Sequence, residues 1–219
     1  DKTVRAEFLK FTAAGKLAEE FWREADIPLY HGIAFGEDIW KAPYHRKIRE
    51  LYPPPLKLLD WGCGVGSDGL KLQMRGYAVS FADLEGKSLE FLRWRLKQRN
   101  LDNAIYAPEN EIPKQDLVLA FDVIEHFEDF REPLGRMAEI APIVCVNLLT
   151  TIPADETPLH FRHMRVLEWI AENYTVYHSF DFQYAVLVFF GGKKDGQPTR
   201  KERISRGRGF DQREPQSDG

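Results

Sequence analysis

The stretch Asp60-Trp61-Gly62-Cys63-Gly64-Val65-Gly66 decides the fold of this 219-residue chain. It follows the apolar run that begins at Leu56 and precedes a segment with helical periodicity, so it predicts a strand, a glycine turn and a helix. Glycines allow a tight turn and let a ligand approach the backbone where a Cβ would collide. The free N–H groups of the helix start then face that ligand.

The acidic residues around this turn separate two kinds of ligand. Asp83 closes the next predicted strand, where it is placed to accept hydrogen bonds from two ribose hydroxyls. Gly64, Gly66 and Gly69 also fit the G-x-G-x-x-G pattern of dinucleotide sites, which alone is weak evidence. Asp60 would face a pyrophosphate unfavourably, but it suits the cationic end of S-adenosylmethionine (SAM). The alternative for Asp60 is a cap on the following turn.

Residues 56–192 alternate short apolar strands with helical segments, which predicts an α/β fold with a parallel sheet and helices on both faces. Thr175–Phe182 and Tyr184–Phe190 follow each other too closely for a parallel crossover, so they predict an antiparallel hairpin. The remaining predicted strands and helices are Leu56–Asp60, Ala78–Ala82, Ala104–Tyr106, Leu117–Phe121 and Ile143–Leu148, and Gly66–Arg75, Lys87–Arg99, Arg131–Ile140 and Arg165–Asn173.

The two ends of the chain differ from this central domain. Residues 1–55 predict a small, aromatic-rich helical cap or lid with helices at Ala6–Trp22 and Tyr44–Leu51 and a loop from Pro28 to Trp40. Residues 193–219 have almost no apolar content and predict a disordered basic tail. The tail holds eight Lys/Arg against five Asp/Glu, whereas residues 1–192 hold 22 against 29. That acidic body argues against a nucleic-acid substrate.

The same residues resemble class I SAM-dependent methyltransferases, and the resemblance spans roughly residues 40–192. Residues 60–66 are similar to motif I of that family, Asp83 to its ribose-binding acid, and residues 116–126 to its fourth strand and the loop after it. The resemblance implies a Rossmann-like, seven-stranded, mostly parallel sheet with a C-terminal antiparallel hairpin. It also implies SAM as cofactor, S-adenosylhomocysteine (SAH) as product, and these cofactor-binding residues: Asp60, Gly62, Cys63, Gly64, Gly66, Asp83, Leu84, Glu109, Phe121 and Asp122.

Asp122, Glu125 and His126 share one face of a helical turn, and His160 lies farther along the chain. Three interpretations stay open for this cluster. His126, His160 or Glu125 acts as a catalytic base; Asp122, Glu125 and His126 hold a divalent metal, as in the similar cluster of ubiquinone-pathway O-methyltransferases; or the cluster braces the loop. We expect no metal, because the first acid is Asp where those relatives have Glu.

The resulting prediction is a cytoplasmic methyltransferase that methylates an oxygen or nitrogen of a small biosynthetic metabolite, of the ubiquinone-pathway O-methyltransferase type. Because the sequence lacks an apolar signal core and a long apolar run, we expect no membrane partner. The alternatives are a protein or RNA methyltransferase, an NAD-dependent oxidoreductase, and an inactive SAM-binding regulator. Neither the acceptor nor the oligomeric state can be read from the sequence.

Overall fold

A computed structural model describes residues 2–36, 39–150, 160–161 and 165–194. Its sheet has seven strands in the order β3-β2-β1-β4-β5-β7-β6. The strands are β1 Lys57–Trp61, β2 Ala78–Ala82, β3 Ile105–Tyr106, β4 Leu117–Ala120, β5 Ile143–Leu149, β6 Tyr174–Phe182 and β7 Ala185–Lys193. The first five run parallel, and β7 pairs antiparallel with both β5 and β6. The predicted fold class is therefore confirmed.

Helices cover both faces of this sheet because successive strand residues point to opposite sides. Leu58 packs with one buried cluster and its neighbour Leu59 with the other. The covering helices are α5 Ser67–Gln73, α6 Lys87–Gln98, α7 Arg131–Ile140 and α8 Val166–Asn173, and a 3₁₀ turn spans Ile124–His126. In the described part of the chain no helix has the length and apolarity needed to cross a membrane.

The N-terminal segment forms four helices, of which the first two share a small core around Val4, Phe8 and Phe21, whereas the fourth buries Tyr44 and Ile48 in a cluster with the sheet. The four helices are α1 Lys2–Ala13, α2 Ala18–Glu24, α3 Asp26–Gly36 and α4 Ala42–Leu51. The single helix predicted over Ala6–Trp22 is wrong, because the chain breaks it at Gly15, whose φ of +80° is left-handed.

The loop predicted from Pro28 to Trp40 is also wrong over most of its length, since α3 occupies residues 26–36. Pro28 falls in the first turn of this helix, where its missing N–H costs no hydrogen bond. Tertiary packing favours the helix because its glycines permit close approach. A Cβ on Gly32 would lie 3.5 Å from Val65, and one on Gly36 would collide with Ser67. The helix therefore lies directly over the glycine turn.

The predicted elements of the central domain otherwise lie within one to three residues of the observed ones. Strand β7 ends at Lys193, one residue beyond the predicted domain boundary, and the Lys194 N–H donates to the Asn173 carbonyl at 3.0 Å. The rest of the predicted tail, residues 195–219, lies outside the described residues. The division into cap, central domain and tail stays a prediction.

Candidate active site

The glycine turn opens a space at the carboxyl end of β1. Gly64 has φ +52°, a left-handed conformation that favours glycine, and a Cβ built on it would meet nothing within 4 Å. At Gly62, with φ +68°, a Cβ would collide with Val123, so the turn packs tightly against the segment after β4. The sequence therefore places bare backbone at the edge of an open space, which is what the approach of a ligand requires.

Asp83 closes the second side of this space. Its Oδ2 accepts a hydrogen bond from the Gly64 N–H at 2.5 Å, and its Oδ1 accepts one from the Leu84 N–H at 2.7 Å. Burial raises the pKa of this carboxyl above its usual range, and the two N–H donors act against that shift. The structure thus brings the predicted ribose-binding acid into contact with the predicted glycine turn.

Asp60 is turned away from this space. It is 4% exposed, and its Oδ2 accepts a hydrogen bond from the Gly69 N–H at 2.8 Å, inside α5. Burial, with Asp68 nearby, raises the pKa of the Asp60 carboxyl to about 8. The contact it makes is therefore the helix-capping one, and at neutral pH the group is mostly uncharged. Its predicted contact with the cationic end of the cofactor stays a prediction.

The opposite wall is an ion-pair cluster built around Lys41. The Lys41 Nζ lies 3.0 Å from Asp68 Oδ2 and 2.7 Å from Asp122 Oδ2, and the Asp68 Oδ1 lies 2.8 Å from the His45 Nε2. Burial alone would lower the pKa of Lys41, but the carboxylates of Asp68 and Asp122 outweigh this effect and raise it. Lys41 and His45 in turn hold the pKa of Asp68 well below its usual range. The cluster joins the cap to α5 and to the end of β4.

Asp122 is held in place by a reciprocal pair of hydrogen bonds with Asn147 on β5. The Asp122 N–H donates to Asn147 Oδ1 at 2.7 Å, and Asn147 Nδ2 donates to Asp122 Oδ1 at 2.6 Å. Asp122 has φ +56°, which a non-glycine residue adopts at a cost. Because Asn147 is fully buried, it fixes both the backbone and the carboxylate of Asp122.

The cap forms a roof over these two walls. On α3 the His31 ring contacts that of Phe35, with centroids 4.2 Å apart and planes tilted by 38°, and its Nε2 is buried without a hydrogen-bond partner. Burial lowers the pKa of His31, and the charge of Asp122 acts in the opposite direction. A side chain of the cap therefore lies within electrostatic range of Asp122, two residues after the end of the fourth strand.

The predicted catalytic histidines lie under the same cap, where α2 contributes Trp22. The Trp22 and His126 rings have centroids 4.4 Å apart, and the His126 and His160 rings 4.8 Å apart. The structure thus brings together two histidines that are 34 positions apart in the sequence. The planes of neighbouring rings are tilted against each other, by 54° for Trp22 and His126 and by 43° for the two histidines.

Glu125 differs from these histidines in being buried, at 5% exposure. Burial, with the neighbouring Asp122, raises the pKa of Glu125 to about 8. A small cavity of about 20 Å³ adjoins it, lined also by Asn147 and Phe161 and large enough for about one water molecule. At neutral pH Glu125 is therefore mostly a proton donor and poorly suited to act as a base.

The metal alternative needs Asp122, Glu125 and His126 to converge on one point. Asp122 is paired with Lys41, whereas His126 contacts Trp22. Within residues 2–36, 39–150, 160–161 and 165–194, no group of three His, Cys, Asp or Glu side chains is arranged to hold a metal ion.

The other predicted cofactor residues differ in their burial. Burial raises the pKa of the Cys63 thiol well above its usual value, so the thiol stays protonated. Phe121 is buried at the end of β4, 5.5 Å from the Tyr44 ring. Gly66 is the N-cap of α5, whereas Glu109 is exposed in a turn after β3.

The sequence reasoning missed Lys41, Asp68 and Asn147. Lys41 precedes an amphipathic helix, Asp68 stands two residues after motif I, and Asn147 interrupts an apolar strand. Only the last is a signal in itself, because a polar amide within a buried strand needs hydrogen-bond partners. Nothing in the sequence indicates that this amide faces Asp122.

Residues 46–127 match the family described as "Tellurite resistance protein TehB". A search of curated proteins finds no significant match. Among solved structures, magnesium protoporphyrin IX methyltransferase from Synechocystis PCC 6803 with bound SAM has a TM-score of 0.59 at 16% identity, covering 75% of this chain and 84% of that one.

Two further structures belong to proteins named after that family. TehB from Haemophilus influenzae has a TM-score of 0.55 at 17% identity, covering 71% of this chain and 66% of that one. A TehB-like SAM-dependent methyltransferase from Corynebacterium glutamicum has a TM-score of 0.57 at 19% identity, covering 75% and 94%.

The solved structures confirm the predicted fold, and the family match over residues 46–127 supports the predicted resemblance to class I SAM-dependent methyltransferases, with their enzyme class and their cofactor SAM. The protoporphyrin methyltransferase has also been solved with SAH, the predicted product. The finer resemblance to ubiquinone-pathway O-methyltransferases stays a prediction.

Proposed function

We propose that this chain, which has the class I SAM-dependent methyltransferase fold and matches a family of that class over residues 46–127, methylates an oxygen or nitrogen of a small biosynthetic metabolite. The observation that carries the proposal is the backbone at Gly64. Its left-handed φ, its open surroundings and its hydrogen bond to Asp83 together fit a nucleoside ligand.

The cofactor would supply a methyl group already activated on a cationic sulfur. Gly64 would let the ligand approach the backbone, and Asp83 would accept hydrogen bonds from the ribose hydroxyls. The cap over the space would exclude water and align the acceptor with the methyl carbon, which supplies much of the acceleration in a reaction of this kind. For that reason the chemistry demands little from any single acid or base.

His126 and His160 are the candidate bases on the acceptor side. Their rings lie 4.8 Å apart at the segment that follows β4, at the edge of the sheet where ligands bind in open α/β folds. A histidine pKa lies near working pH, so a neutral imidazole can accept the proton that an O–H or N–H acceptor releases. Glu125, mostly protonated at neutral pH, would serve instead to position this segment.

A small acceptor is supported by the shape and charge of the site. The cap closes over the space from α2 to α4 with aromatic side chains such as Trp22 and Phe35, which suits a flat or apolar molecule. The chain has a net charge of −4, which disfavours the phosphate backbone of a nucleic acid. One structural neighbour is named as the methyltransferase of a magnesium porphyrin, a flat metabolite.

Calorimetry with SAM, SAH and NADH tests the cofactor half of the proposal. We expect heat from SAM and SAH and none from NADH; binding of NADH alone would contradict the assignment. The acceptor half is tested by incubating the protein with methyl-labelled SAM and separate panels of phenols, amines, peptides and RNA. Label transferred only to peptides or RNA would overturn the small-molecule proposal and favour the alternative acceptors.

Chelation tests the metal alternative in the same assay. Because the described residues offer no three-ligand site, we expect label transfer to be unchanged by EDTA. Loss of transfer with EDTA, followed by recovery with Mg²⁺, would show that a metal ion polarises the acceptor.

A further inference from the structure

The Lys41 cluster carries more negative than positive charge. Lys41 supplies one cation, whereas Asp68 and Asp122 supply two carboxylates within 3.0 Å of it. These three charges sum to −1. The three side chains are only 12% to 31% exposed, so solvent screens that charge less than it would at the surface.

Asp60, which the sequence analysis assigned to a cationic ligand, is not part of this negatively charged cluster. Asp60 is buried, uses Oδ2 to cap α5, and is mostly protonated near pH 7. A neutral carboxyl attracts a cation far less than a carboxylate does. The carboxylates of the Lys41 cluster are therefore the stronger candidates for an anionic group that acts on the ligand.

The side chain of Asp122 is 31% exposed, against 17% for that of Asp68. Asp122 lies two residues after the end of β4, and the next residue, Val123, packs on Gly62 of the glycine turn. Asn147 and Lys41 fix its carboxylate in that position. A charge held at this point stands beside the space that Gly64 opens.

We propose that Asp122 makes this site distinguish SAM from SAH by the charge on sulfur. The inference rests on the proposed function. On methyl transfer the acceptor lone pair bonds to the methyl carbon, the C–S electron pair stays on sulfur, and the acceptor proton leaves to a base or solvent. The ligand loses one positive charge, so the attraction of Asp122 favours the substrate form and weakens with the product, which eases product release.

Calorimetry on the full-length chain with SAM, SAH and sinefungin, a stable analogue with an ammonium in place of the sulfonium, tests this directly. In Asp122→Asn we expect affinity for SAM and sinefungin to fall about tenfold and affinity for SAH to fall less than about threefold. Asp129→Asn, an exposed acid on the surface, should leave all three affinities unchanged.

A second variant and a salt titration guard against a folding defect. Asp68→Asn removes a charge of the same cluster and should shift the SAM-to-SAH ratio in the same direction. In the unaltered protein that ratio should decrease as salt rises from 50 to 500 mM. If the protein binds neither SAM nor SAH, the proposed function fails. If it binds both, but both variants weaken them equally or not at all, only the role of Asp122 is overturned.

Discussion

The two walls of the site are built in different ways. The glycine-turn wall consists of one short stretch, residues 60–69, and Asp83 at the end of the neighbouring strand, and backbone N–H groups make most of its contacts. The Lys41 wall consists of side chains from the cap, α5, the end of β4 and β5. The first wall has a sequence motif, whereas the second forms only where four segments of the chain meet. We therefore expect changes in the Lys41 wall to act mainly on stability and changes in the glycine-turn wall mainly on SAM binding.

The largest effect should come from breaking the Lys41 wall. Lys41→Met leaves Asp68 and Asp122 as partly buried carboxylates without their cation, so we expect the free energy of unfolding to fall by about 2–4 kcal/mol. Urea denaturation measures this loss. Lys87→Met, which removes a more exposed pair with Asp26, should cost less than about 1 kcal/mol. An equal loss in both variants would mean that the cluster does not tie the cap to the sheet.

The next effect concerns the ribose acid of the glycine-turn wall. Asp83→Ala removes the charge-assisted hydrogen bonds expected with the ribose, so SAM binding should weaken by about 1–3 kcal/mol in calorimetry. Asp102→Ala, an exposed acid in the loop after α6, is the control and should bind SAM as the unaltered protein does. Unchanged SAM affinity in Asp83→Ala would refute the ribose assignment.

Comparing Ala substitutions at two glycines separates the effect of filling the ligand space from the effect of backbone strain. Gly64 and Gly15 both have left-handed φ, +52° and +80°, with nothing within 4 Å of a Cβ. Substitution by Ala should therefore lower the free energy of unfolding by about 1 kcal/mol at either position. Only Gly64→Ala should also weaken SAM binding, by about tenfold, because its Cβ enters the proposed ligand space. Equal SAM affinity in both variants would show that no ligand approaches Gly64.

The last prediction concerns how the free energy of unfolding depends on pH. The pKa of Glu125 and that of Asp60 are about 8 in the folded protein and about 4 in an unfolded chain, so the folded state binds the extra protons. The free energy of unfolding should therefore fall as pH rises from about 4 to about 8. Glu125→Gln should reduce this fall, measured by urea denaturation at pH 5 and pH 8.

A matched control for the pH experiment is Glu128→Gln, because Glu128 lies three positions away and is exposed. That variant should show the same pH dependence as the unaltered protein. An identical fall in Glu125→Gln would mean that Glu125 is ionised in the folded state, which would restore it as a candidate base.

The sequence by itself determined the sheet, the glycine turn and the acid after the second strand. These features follow from short-range rules, because strand periodicity, a left-handed turn and a helix start each depend on a few adjacent residues. The sequence-based prediction was wrong in the cap, where a loop was expected. There the packing of α3 against Val65 and Ser67 favours a helix. Local propensity cannot report a contact with a distant partner.

Only the tertiary structure decided where the charges of the site lie. Asp60 has the position that the motif predicts, yet the Gly69 N–H and burial turn it into a neutral helix cap. Lys41, Asp122 and Asn147 are up to 106 positions apart, and the strand order β1-β4-β5 brings their segments together. Because the charge of a carboxyl depends on its burial and on its partners, it becomes defined only when those segments meet.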